Sequence, residues 1–148
     1  MKIRFFSIFL LFGIIAGCQS QQKFEEVDAA EVDQAKLEMA ANLTENLLSE
    51  QKKGGFYELT AEEATSAMIS GLGERRQKKS YKQIKKMFGD YKSIRFNHMM
   101  RSTTGAYLEI YRFKGDFDQS ENELEVRAVF DADQKLAGFF VRPWTTQF

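Results

Sequence analysis

His98 is the only imidazole in the chain, and a side chain that takes up a proton near neutral pH is what general-base catalysis needs. Its neighbours alternate, with Ile94, Phe96, His98 and Met100 set against Arg95, Asn97 and Met99, which places the ring on a half-buried strand face. No acid or nucleophile stands beside it in a known motif, so a packed strand histidine is favoured over a catalytic base. Asp116, Asp118, Ser120 and Asn122 alternate like the first oxygen ligands of a calcium loop. The sixth position, where such a loop needs glycine, is Glu121, and the twelfth, where it needs a bidentate glutamate, is Arg127. An exposed polar hairpin loop is expected there.

Arg75, Arg76, Lys78, Lys79, Lys82, Lys85 and Lys86 crowd one short segment against the single acid Glu74. Such a run suits an anionic surface or an acidic partner, and equally the solvated face of a helix. Tyr107, Tyr111, Phe113, Phe139, Phe140 and Trp144, with His98, would line a pocket for a small apolar ligand or else fill the core. One cysteine and one histidine cannot assemble the usual zinc sets, and no glycine-rich phosphate loop or nucleophile elbow is present. No metal or cofactor is implied. The formal net charge is zero, so bulk charge selects no partner, and nucleic acid is not expected.

The N-terminus explains the lone cysteine. Met1-Lys2-Ile3-Arg4 carries two cations ahead of an apolar run from Phe5 to Ala16, the plan of an export signal. Polar Gln19 to Lys23 stops the run short of the roughly 20 residues that span a bilayer. Ile15-Ala16-Gly17-Cys18 resembles the lipobox of bacterial lipoproteins. The resemblance implies a diacylglyceryl group on the Cys18 thiol, cleavage after Gly17 and acylation of the new amine. A membrane partner is then supplied by the lipid, since two or three acyl chains hold almost irreversibly. The protein would be exported and face the periplasm or the cell exterior, and Gln19 is not the aspartate associated with inner-membrane retention.

Residues 1–17 are thus expected to be a signal, 18–27 a flexible tether, and 28–148 one domain, about the size of a single core. Asp28 with Glu31 forms a capping box ahead of Val32, Ala35, Met39, Ala40, Leu43 and Leu47, which predicts one long amphipathic helix ending at Gly54-Gly55. Thr60 with Glu63 predicts a second, shorter helix, and Ser80 with Gln83 a third that stops at Gly89. From Ile94 the period changes to two. Strands are expected from Ile94, over Tyr107 to Lys114, over Leu124 to Phe130 and over Leu136 to Arg142, with Pro143 weakening the last ladder. Three helices followed by four strands give an α+β domain, helices packed on one face of a curved antiparallel sheet.

That order, and above all Val129-Phe130-Asp131-Ala132-Asp133-Gln134-Lys135-Leu136-Ala137-Gly138-Phe139-Phe140-Val141-Arg142-Pro143, resembles exported domains of unknown function in the nuclear transport factor 2-like, or cystatin-like, superfamily. The family pattern usually has glycine at the hairpin tip, where this chain carries Gln134. The resemblance implies a sheet wrapped around a long helix as a cone with an apolar mouth, and implies no activity. Three functions follow as expectations. The first is a non-catalytic, lipid-anchored binding domain for an envelope protein or small apolar ligand. The second is an isomerase- or dehydratase-like enzyme with His98 or Asp116 as base and a tyrosine as acid. The third is a structural module that forms homodimers.

Overall fold

The structure, a computed structural model, describes residues 22–121 and 123–146. The expected signal, Cys18 and Asn122 lie outside the described residues. The first described segment is already part of the sheet. Phe24–Glu26 forms strand β1, paired antiparallel with Ser102, Arg101 and Met100 of β2, Tyr91–Ser102. The tether expected to reach Val27 is therefore in the ladder at Phe24, and the sheet has five strands rather than four. A three-residue strand has too little alternation to be read from sequence, and its pairing partner lies far along the chain.

Helix α1, Gln34–Lys53, begins where Asp33 accepts hydrogen bonds from the amides of Ala35 and Lys36 at 2.9 and 3.2 Å, satisfying donors that the first turn leaves open. Asp28, expected to start this helix, caps only a single 3-10 turn, Ala29–Glu31, which Val32 ends in an extended conformation. The helix stops on Gly54 at φ 69°, as a left-handed C-terminal glycine should. The Thr60–Glu63 capping bonds do form. They close a turn and not a helix, because Ala64 is drawn into a bridge with Leu136. Helix α2, Ser66–Gly71, starts after it and is capped by Thr65.

Helix α3, Glu74–Phe88, begins well before Ser80, which lies mid-helix. The buried side chain that extends its inner face is Gln77, whose Nε2 donates to Tyr57 O and Leu72 O, each at 2.7 Å. A polar residue on the core side hides that extra length from a hydrophobic pattern. Gly89 ends the helix at φ 83°, and a Cβ there would stand 1.8 Å from Asp118 Oδ1, so the position tolerates only glycine.

Strands β3, Leu108–Phe117, β4, Leu124–Asp131, and β5, Leu136–Pro143, complete an antiparallel meander in the order β1-β2-β3-β4-β5. One face carries Met99, Tyr111, Phe113, Phe117, Leu124, Val126, Ala128 and Phe130, packed on Ala40, Leu43, Leu47 and Leu48 of α1. The opposite face carries a smaller apolar group, Met100, Ile110 and Val129 with Phe24, Leu108 and Phe140 at its rim.

Candidate functional site

Two carboxylates are buried in the sheet, one on each face, and each has collected its own partners. On the helix-covered face, Glu109 is 1% exposed. Tyr107 Oη donates to it at 2.7 Å, Gln134 Nε2 at 3.2 Å and Tyr111 Oη at 3.4 Å, while Lys36 and Arg101 stand 3.6 and 3.8 Å away. Burial, and then the Glu109 charge beside it, push the Tyr111 hydroxyl well above the ordinary tyrosine range. Gln134 reaches Glu109 from the β4–β5 hairpin tip, where its φ of 60° makes it the one non-glycine residue with positive φ among the described residues.

On the other face Glu125 is fully buried. Arg112 Nε donates to Oε1 at 2.5 Å, Arg127 Nε to the same oxygen at 2.9 Å, and Arg142 Nε to Oε2 at 2.6 Å. Arg112 is itself 2% exposed, its guanidinium lying 4.7 Å from the centre of the Trp144 ring, with Lys114 Nζ at 5.0 Å. Burial pushes the Glu125 carboxyl up, but the three guanidiniums outweigh it and hold the group below its ordinary range.

His98 belongs to this outer cluster. The register between β2 and β3 slips between Phe96 and His98, pairing Phe96 with Phe113 and His98 with Arg112. Asn97 is the extra residue of a bulge, so His98 and Met100 turn to the outer face while Ile94, Phe96 and Met99 stay with the core. The expected common face of Ile94, Phe96, His98 and Met100 is thus divided. Nδ1 of His98 lies 2.6 Å from Asn97 Oδ1 and Nε2 lies 2.9 Å from Arg112 Nη1. An amide oxygen must accept and a guanidinium must donate, which assigns the proton to Nδ1 and occupies the basic nitrogen. Burial, then the Arg112 charge, lower the pKa of the ring below 6.5. A base whose lone pair already accepts from an arginine is poorly placed to take a substrate proton.

The seven residues expected to line one pocket are distributed, with Trp144 stacked against Arg112 in the outer cluster. Tyr111 and Phe113 are 0% and 1% exposed in the core, and Phe139 packs against them from β5. Phe140 and His98 face the other way, and Tyr107 is 41% exposed. Strand alternation and the Asn97 bulge are the reason. Asp116 is exposed on β3, and Asp118 accepts from the Asp90 amide at 2.8 Å, a bond that ties the end of β3 to the start of β2 and not a ligand set. No group of three or more His, Cys, Asp or Glu among the described residues is placed to hold a metal ion.

No family model, curated protein or solved structure matches this chain. No helix among the described residues is long and apolar enough to cross a membrane. The basic segment lies on α3, where Lys78 pairs with Glu74 at 2.6 Å and Lys85 with Asp90 at 2.9 Å. Arg76 Nη1 donates to Gly71 O at 3.2 Å. Arg75, Lys79 and Lys82 are exposed. Sequence reading missed Glu109, Arg112, Glu125, Arg127 and Arg142, because charged residues alternating with apolar ones along a strand signal a solvated face. Their meeting depends on register between strands, which no single strand encodes.

Proposed function

We propose that this chain is a lipid-anchored protein of the bacterial cell envelope, held by Cys18, whose domain binds a partner or ligand and does not transform it. The observation that carries the reading is Ile15-Ala16-Gly17-Cys18 at the end of a charged-then-apolar leader. A second support is the short run of sequence between Cys18 and the strand that begins at Phe24, which suits a domain held close to a bilayer. The non-catalytic half draws on the closed networks: the basic nitrogen of His98 faces Arg112, and Glu125 is enclosed by three guanidiniums. The cone-like sheet of the nuclear transport factor 2-like superfamily belongs to the same reading. Gln134 in a left-handed conformation, where that family's pattern has glycine, is in keeping with it.

Replacing Cys18 by Ser and fractionating the cells tests the anchor. The wild-type chain is expected in the membrane fraction and the variant among soluble or signal-retaining forms, whereas identical acylated behaviour would overturn the assignment. Turnover of any small molecule that His98→Gln or Asp116→Asn abolishes would overturn the non-catalytic half.

A further inference from the structure

On an α-helix, positions i, i+4, i+7 and i+11 fall within an arc of about 60°. Arg75, Lys79, Lys82 and Lys86 occupy those positions on α3, and all four are exposed. Gln77 and Tyr81, with the half-buried Ile84 and Phe88, take the opposite arc. The four cations therefore form one straight stripe about 16 Å long, given a rise of about 1.5 Å per residue. None of them pairs with a carboxylate among the described residues. Two acids at the ends of the helix, Glu74 and Asp90, are engaged by Lys78 and Lys85 at its flank. At its N-terminal end the stripe opens into a shallow depression of about 490 Å³ lined by Ser70, Gly73, Glu74, Arg75, Arg76 and Lys79.

We infer that this stripe lies against the anionic phospholipid headgroups of a membrane, with a headgroup phosphate seated in the depression beside Arg75 and Lys79. The chain as a whole is neutral, so the attraction is local to one helix face and orients the domain. The stripe itself presents no aromatic or large apolar side chain to anchor a protein partner, whereas a layer of phosphates requires only cations at matching depth. The setting rests on the anchoring proposed above. The stretch from Cys18 to Phe24 spans at most about 20 Å when extended, which keeps the domain close to the surface that holds the lipid.

The test uses the chain from residue 18 with Cys18→Ser, which keeps the whole core and removes the lipid, so failure of the anchor and failure of the stripe are read separately. Co-sedimentation is measured with vesicles of phosphatidylglycerol and phosphatidylcholine against pure phosphatidylcholine. Binding to the anionic vesicles alone is expected, weakening with added salt as charges are screened. Each cation removed should cost about five-fold in partitioning, so Arg75→Gln, Lys79→Gln, Lys82→Gln and Lys86→Gln together should lose several hundred-fold, roughly. The single reversal Lys82→Glu should lose more than Lys78→Gln, whose cation is already paired. Circular dichroism melting checks that the variants fold. Equal binding to both vesicles, no binding to either, or unchanged binding by the quadruple variant would overturn the inference. So would capture of polyglutamate without vesicle binding, which would reassign the stripe to an acidic protein.

Discussion

At Glu125 a carboxylate with no exposed area meets Arg112, Arg127 and Arg142. Taking such ions out of water costs several kcal/mol each, and only close, multiply bonded geometry offsets it. Removing the carboxylate charge while keeping its shape leaves guanidiniums facing one another. Glu125→Gln should therefore destabilise the fold by about 3–5 kcal/mol in urea unfolding; a loss below about 1 kcal/mol would mean the cluster is solvated. The sign with pH follows from the lowered folded pKa. This carboxylate stabilises the fold fully above its ordinary value of 4.5, and the contribution is lost as pH falls through the lower folded value. His98 acts in the same direction, since the folded state favours the neutral ring: between the folded pKa and 6.5 the unfolded chain binds more protons, and stability rises with pH. With one histidine in the chain, proton NMR should give a single imidazole titration with its midpoint below 6.5. A midpoint above 6.5 would remove the burial and the Arg112 contact from the account.

At the scale of elements, local chemistry was legible and its reach was not. Gly54 and Gly89 end α1 and α3 where their sequence positions say they should, because freedom to take a positive φ is a property of glycine itself. The capping signals at Asp28 and Thr60 were also real, yet each closes only a turn, since Val32 extends and Ala64 bridges to β5. Tertiary contact overrode the local cue. The β4–β5 turn separates two effects in one residue. Gln134 holds a left-handed backbone that costs about 1 kcal/mol, and its amide donates to buried Glu109. Gln134→Ala loses the bond and keeps the strain, whereas Gln134→Gly loses the bond and relieves the strain. The alanine variant should be the less stable of the two by about 1 kcal/mol, read from thermal unfolding. The reverse order would show that the hairpin tip is unstrained.

For the molecule as a whole, the α+β class and the division into helices first and sheet second follow from periodicity, because burial of one face imposes 3.6 or 2 directly on the sequence. The fifth strand, the Asn97 bulge and the two polar clusters do not, because they depend on pairings between distant segments: Phe24 with Ser102, His98 with Arg112, and Arg112 with Arg127. The cationic run was visible in sequence, but only the helix geometry separates the stripe of Arg75, Lys79, Lys82 and Lys86 from the paired Lys78 and Lys85. The proposed lipid on Cys18 would set where the domain sits and what its surfaces meet. The most direct measurement is the intact mass of the chain extracted from membranes of cells that produce it. The account predicts a chain that begins at Cys18 and carries the added mass of a diacylglyceryl group. A chain with an unmodified thiol at Cys18, or one cleaved elsewhere, would contradict it.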